Sequence, residues 1–281
     1  VRSKWVDEAR AGGTEVRSRL VAMEVAYELR SDVHAGTPPW LMVGWVVSRA
    51  ASGKKLPGGE QQSRYVSIYD VTCAFLHARM DTEMYVILPN GLCPPNARAK
   101  LDGAMYGTRR ASLLWSEEIA KQLCGEYGFI QVKTCPQAFF HKEMDVFCVV
   151  HGDDFISESD ARGSDLMDEI MVKAFRTKIK CRLGPGAELE GEYLHRVIRF
   201  IPEVGFEIEP DRKHIVLAAK DMDMEEASPV PTPMVVNSTV AANALDEVSE
   251  DRAALYMSVV GRLIYLSMDR FDIQYVVRYL C

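Results

Sequence analysis

Two adjacent carboxylates, Asp153-Asp154, stand between apolar runs: Val146-Phe147-Cys148-Val149-Val150-His151-Gly152 on one side and Phe155-Ile156 on the other. β-Branched and aromatic residues on both flanks read as two strands joined by a tight turn, with Gly152 at a position that disfavours a Cβ. Both acids then project from a hairpin tip above a buried sheet. Carboxylates side by side repel unless a cation sits between them, and oxygen-only ligands suit a hard divalent ion. An exposed Asp-Asp turn is the plain alternative, and these residues alone weigh the two evenly.

A third acid changes that balance. Tyr65-Val66-Ser67-Ile68-Tyr69-Asp70-Val71 is a second β-rich run that ends in a carboxylate. If its strand lies beside the Asp153-Asp154 hairpin, three carboxylates converge. With substrate phosphates as further ligands, such a triad can hold two ions roughly 3.5–4 Å apart and stabilise both oxygens of an in-line phosphoryl displacement. Nucleotide polymerisation and phosphoester hydrolysis both use that chemistry, so a Mg²⁺-dependent phosphohydrolase is one reading of the acids alone.

The elements that must position these acids are legible in outline. Residues 16–23 alternate basic and apolar side chains like a strand with a charged face. Thr37-Pro38-Pro39 breaks the chain, residues 40–51 carry helical spacing, and residues 52–59 form a loop. Residues 84–88 predict a strand, closed by Pro89-Asn90-Gly91, and Pro94-Pro95 a loop. Residues 111–127 predict an amphipathic helix with Leu114, Ile119, Leu123 and Tyr127 inward. Residues 138–141 and 146–150 predict a hairpin, and 194–200 with 205–208 a second one. Helices are expected over 165–178, 214–228 and 252–280. Pro229 to Asn237 reads as a Pro-rich linker.

The 281 residues carry a net charge of −7 and are 48% hydrophobic, which allows a sizeable core in one large domain or several subdomains. An acidic balance counts against a broad basic footprint for nucleic acid. A local stripe nevertheless runs through Lys173, Arg176, Lys178, Lys180 and Arg182, for which a solvated helix face is the favoured reading over a backbone-contacting patch. Seven scattered cysteines without CxxC spacing argue against a zinc site or disulfide framework and for a reducing compartment. No apolar run approaches membrane-spanning length, so no membrane partner is expected. The start has neither an initiator Met nor an h-region, which reads as a fragment of a longer polypeptide.

The ordered motifs carry a family resemblance. Tyr69-Asp70-Val71-Thr72-Cys73-Ala74-Phe75-Leu76 resembles the DVxxAFL block of copia-type LTR-retrotransposon reverse transcriptases. Glu83 to Gly91 resembles the block that follows it. Met105-Tyr106-Gly107-Thr108-Arg109-Arg110-Ala111 through Trp115 resembles LYGLKQAPRAW, and His151-Gly152-Asp153-Asp154 takes the place of the YVDD box. Ser258 to Leu266, followed by Arg270-Phe271-Asp272-Ile273, resembles the family's later SLVGSLLYL…RPDI segment.

The resemblance implies an α+β right-hand polymerase fold. Fingers would span 1–62 with 89–112, a palm built on a split β-α-β antiparallel sheet 63–210, and a thumb or connection remnant 211–281 after the linker at 229–237. It implies RNA-directed DNA polymerisation, with a catalytically decayed or co-opted nucleic-acid-binding remnant as the alternative. Asp70, Asp153 and Asp154 would ligate two Mg²⁺ ions (Mn²⁺ being a substitute), joined by the Val71 carbonyl. Phe75 would close over the sugar of the incoming dNTP and exclude a 2′-OH. Arg17 and Arg19 would meet the triphosphate, a solvated strand face being the equal alternative, and Arg109 and Arg110 would lie at the nucleotide. Tyr106, Gly107, His151 and Gly152 would border an RNA template and DNA primer or their RNA–DNA hybrid. The remaining Pol polyprotein, integrase and RNase H, would be covalent partners, in cytoplasmic virus-like particles with delivery to the nucleus.

Three departures from the family are expected to slow or alter polymerisation. His151-Gly152 replaces Tyr-Val, Arg110 replaces a Gln, and the block from Met23 to Glu28 is acidic.

Overall fold

The unbroken apolar run before the Asp pair is explained by the sheet it enters. A strand covered on both faces has no solvent side and so shows no alternation. The computed structural model describes the chain except residues 11–13, 26–32, 34, 56–60, 95–96 and 231–248. Most of the Pro-rich linker and part of the acidic block at 23–28 lie outside the described residues.

Strands and helices are numbered along the chain. They run β1 (Arg2–Arg10), β2 (Glu15–Met23), α1 (Leu41–Ser52), β3 (Lys54–Lys55), β4 (Gln61–Gln62), β5 (Tyr65–Val71), β6 (Tyr85–Val86), β7 (Ala99–Lys100) and α2 (Ala111–Ala120). Then follow β8 (Ile130–Val132), β9 (Cys135–His141), β10 (Val146–His151), β11 (Asp154–Ser159), α3 (Ala161–Ala174), β12 (Thr177–Leu183), β13 (Glu190–Tyr193), β14 (Arg196–Ile201), β15 (Gly205–Glu209), α4 (Arg212–Asp221), α5 (Glu250–Ser267) and α6 (Gln274–Leu280).

The centre is a six-stranded antiparallel sheet in the order β12-β5-β11-β10-β9-β8. Alternation along each strand divides its side chains between two cores. Tyr69, Val71, Val150 and Phe155 face α2 and α3, where they meet Trp115, Ile119, Met167 and Ile170. Val66, Ile68, Val149 and Ile156 face α1 and the β13–β15 sheet, where they meet Val43, Val46, Tyr193 and Ile198. The observed fold is therefore α+β, an antiparallel sheet between helices on one side and a helix plus a small sheet on the other.

Several expectations shift at element ends. The helix expected over 165–178 is α3, which starts earlier because the Asp160 side chain accepts from the Gly163 N–H as an N-cap, worth about 1 kcal/mol. It ends at Ala174, and the stripe expected on a solvated helix is divided: Lys178, Lys180 and Arg182 lie on β12, paired with β5. The cause is tertiary, since β5 would otherwise present an open ladder edge on that side. The expected helix over 252–280 is broken into α5, a 3₁₀ turn at Phe271–Ile273 and α6. The helix at 111–127 continues past α2 as a π-helical stretch, Lys121–Glu126. The strand at 84–88 shortens to β6, paired with β7. The basic-apolar strand is β2, and it pairs along its whole length with β1.

A candidate functional site at the end of two adjacent strands

β10 and β11 form the hairpin that the sequence predicts. His151 and Asp154 are the last paired residues, leaving Gly152-Asp153 as a two-residue turn. Gly152 has φ +66°. A positive φ at the first turn position suits a type II′ hairpin turn, whose twist matches the strands it joins. The turn is anchored from two sides. The Trp115 indole Nε1–H donates to the Gly152 carbonyl at 2.7 Å, and the Val71 N–H donates to the Asp153 carbonyl at 2.9 Å.

β11 lies directly against β5, with Asp154 the Cα partner of Asp70. Equal register places both side chains on one face of the sheet, the face of α1 and β14, while Asp153 stands in the turn beside them. The three acids, 84 residues apart at their extremes, Asp70 to Asp154, thus meet at one strand end. Burial raises the pKa of Asp153, and the Asp154 and Asp70 charges push it further up. Among the described residues no group of three His, Cys, Asp or Glu side chains closes into metal-ligand geometry. A cation does stand among them. The Lys180 ammonium donates to Asp154 Oδ1 at 2.7 Å, and all three carboxylate charges act on it. Burial opposes its charge, but the Asp154 hydrogen bond and the three charges outweigh that and raise its pKa.

Phe75 lies close by, on a 3₁₀ turn over Ala74–His77 that leaves β5 through Cys73, which has φ +55°. Its ring packs on Tyr106 with centroids 4.5 Å apart. Burial raises the Tyr106 pKa, the Asp153 charge adds to this, and Arg17 and Arg19 pull against it. The charges of Arg17 and Arg19 on β2 therefore reach the aromatic pair beside the acids. Arg19 is itself bound to Glu8 across β1–β2 at 3.1 Å.

The junction that holds these arginines in place is backbone. The Ala22 N–H donates to the Tyr106 carbonyl at 2.7 Å, and the Glu24 N–H to the Gly107 carbonyl at 3.3 Å. Gly107 has φ +85°, and a Cβ there would come 2.0 Å from the Ala22 carbonyl oxygen. Only glycine allows β2 to dock so closely. The Arg109 N–H donates to Glu24 Oε2 at 2.8 Å. Arg110 is drawn to Asp81 at 2.6 Å. His151 is half-buried opposite Asp154.

Sequence reasoning missed Trp115 and Lys180 as parts of this site. Trp115 was visible only as a motif letter, and Lys180 belonged to a stripe read as helical. The signal for Lys180 was the β-branched spacing of Thr177 and Ile179, which suits a strand.

Residues 58–235 match the family described as Reverse transcriptase (RNA-dependent DNA polymerase). A putative transposon Ty5-1 protein of Saccharomyces cerevisiae is 25% identical over 215 residues, a match that takes in 74% of this chain and 66% of the yeast protein. Among solved structures, a foamy viral protease-reverse transcriptase in complex with double-stranded DNA aligns at 10% identity and TM-score 0.40, over 94% of this chain and 36% of that one. Telomerase from Candida albicans, solved with a fragment of telomeric RNA, aligns at 10% identity and TM-score 0.39, over 89% and 45%. The chain spans just under two-thirds of the yeast protein and less than half of each solved chain. The family match covers most of the chain and takes in all three aspartates, so the chain belongs to the reverse transcriptase (RNA-dependent DNA polymerase) family, of the copia-type retrotransposon kind.

Proposed function

We propose that this chain catalyses RNA-directed DNA polymerisation, extending a DNA primer on an RNA template with dNTPs. The observation that carries the reading is the pairing of Asp154 with Asp70 across β11 and β5, with Asp153 in the adjoining turn. Oxygen-only donors on rigid strand ends fit hard divalent cations such as Mg²⁺ or Mn²⁺, and the site already accommodates a positive charge in the Lys180 ammonium. Two such ions, when bound, supply activation of the primer 3′-hydroxyl and neutralisation of the leaving pyrophosphate.

The chain's own residues do the rest. Asp70, Asp153 and Asp154 provide the negative charge that holds the ions, with the Val71 carbonyl at the end of β5 within the same group. Phe75, braced by Tyr106, forms the floor on which the sugar of the incoming nucleotide rests, and its ring excludes a 2′-hydroxyl by volume. Arg17 and Arg19 present planar guanidinium groups suited to the triphosphate. Arg109, Arg110 and Gly107 border the nucleotide. His151 and Gly152 face the primer end. The template strand, the primer and the other Pol polyprotein domains are the partners this reading calls for.

The test is primer extension on an RNA template with Mg²⁺, comparing the chain with Asp153→Asn. Extension that depends on Asp153 is the expected result. Nucleic-acid binding without any Asp153-dependent extension would instead favour a decayed or co-opted remnant, a reading to which the engagement of Arg110 by Asp81 lends some weight.

A further inference from the structure

Lys180 reaches Asp154 from a strand that is not its neighbour. β12 pairs with β5, and β5 with β11, so the side chain must cross over β5 to arrive. A backbone irregularity makes this reach available. In the β12–β5 ladder Ile179 pairs with Tyr69 and Cys181 with Ile68, so Lys180 is an extra residue with no partner opposite it. Such a bulge bends the strand and re-aims a side chain that regular alternation would commit to one face. Without the bulge, Lys180 would take the buried place opposite Ile68 and against Gly191 of β13 that Cys181 now holds. With it, the sheet keeps Cys181 buried and still releases a lysine at the edge of the acid site.

The surrounding charges leave the ammonium few other partners. Lys178 is the Cα partner of Asp70 and is exposed. Arg182, two residues on, is taken by Asp165 and Asp168 of α3 at 2.8 Å and 2.6 Å. Of the cations on β12, Lys180 is the one whose bond goes to a member of the triad.

The geometry points to Lys180 as a built-in counter-ion of the carboxylate triad, one that holds Asp154 in the metal-free enzyme and competes with the divalent cation for it. This rests on the reading that Asp70, Asp153 and Asp154 are metal ligands. The ammonium occupies one Asp154 oxygen, so an ion arriving at that carboxylate meets a resident positive charge that opposes it until Lys180 withdraws. The resident lysine keeps like charges together at low metal concentration and sets a threshold for filling the site. Its cost is weaker affinity for the ion.

The competition can be read without any reaction. Mn²⁺ binding to the nucleic-acid-free chain is titrated by the loss of free-Mn²⁺ electron paramagnetic resonance signal in the wild type, Lys180→Met, Lys180→Arg, Asp153→Asn and Lys180→Met/Asp153→Asn. Lys180→Met is expected to bind Mn²⁺ on the order of tenfold more tightly than the wild type, because a positive charge in contact with one ligand has been removed. Lys180→Arg, which keeps the charge, is expected to stay within about threefold of the wild type. Tighter binding in Lys180→Met that Asp153→Asn abolishes supports the inference. Asp153-dependent binding that is equal or weaker in Lys180→Met overturns it and leaves the metal reading standing. Binding insensitive to Asp153 in both backgrounds overturns the metal reading itself. Thermal unfolding of each variant separates a lost site from a lost fold.

Discussion

Trp115 shows how one side chain far along the chain can fix the turn that carries a residue of the candidate site. Its indole is buried in the core between the sheet and the two helices, and its one polar atom goes to the carbonyl of Gly152, next to Asp153. Trp115→Phe keeps most of the packing and removes that bond. Leaving the carbonyl unpaired is expected to cost about 1–2 kcal/mol of stability, and loosening the turn to lower kcat about tenfold with little change in primer-template affinity. Denaturant melts and single-turnover extension check the two halves. Phe75→Ala makes a separate prediction. Removing the ring should admit rNTPs, lowering the dNTP/rNTP preference on the order of a hundredfold in competitive incorporation. At Gly152 the departure from the family motif has a structural side. The φ of +66° is one that glycine adopts without strain. Gly152→Val is therefore expected to lower stability by about 1 kcal/mol or more in thermal unfolding, whatever it does for the primer. The convergence of the three aspartates was legible because each lies at or next to a strand end within an ordered motif, and Phe75 follows the first of them on a short turn. Trp115 was not, because its contribution is a hydrogen bond across 37 residues that spacing does not encode.

At the scale of elements, the end of the sheet away from the acids is fastened by charge. Glu158 on β11 is 0% exposed and receives Arg64 and Arg49, which also grip Asp145 in the β9–β10 turn. Two guanidinium groups and two carboxylates thus join α1, β5 and two hairpin strands. Burial raises the Glu158 pKa, while both arginines work against that. Asp145 goes the other way: burial pushes it up, but Arg64 and Arg49 prevail and lower it. A carboxylate whose folded pKa is depressed contributes stability above its unfolded value and loses it as pH falls through the folded value. Asp145→Asn should therefore flatten the acid limb of the stability curve below about pH 4, followed by urea melts across pH. Glu158→Gln leaves two arginines with Asp145 as their one shared carboxylate and is expected to cost about 3–5 kcal/mol. None of this network was read in advance. Its members are spread over 109 residues, and an acid within an apolar strand carries no hint of which cations will meet it. The apolar strands themselves were read well, because burial on both faces leaves a continuous run.

For the whole molecule, a buried ion pair ties the C-terminal helices to the small sheet. Arg196 of β14 is 2% exposed, bonds Asp269 just past α5, and lies between the rings of Trp40 and Tyr265, 3.8 Å and 4.7 Å from their centroids. Trp40 caps the start of α1, so one guanidinium joins the helix beside the sheet, the small sheet and the C-terminal helices. Asp269→Asn should uncouple them. The expected loss is about 3–5 kcal/mol if unfolding is cooperative, and faster amide exchange confined to 250–267 if it is not. Hydrogen-exchange mass spectrometry distinguishes the two. The sequence pattern gave the apolar spacing of 252–280 but not its break, because Met268 to Arg270 leave the helix to place Asp269 against Arg196.

The bulge at Lys180 makes the site sensitive to length as well as to composition. An in-frame deletion of that one residue would restore an unbroken ladder with β5, and Cys181 would keep its partner Ile68. Such a chain would fold with a more regular sheet and retain all three aspartates, yet its acid site would have lost the ammonium. For copies of such an element, a lost codon in β12 would thus be silent in the catalytic motifs and visible only in how the protein handles divalent ions.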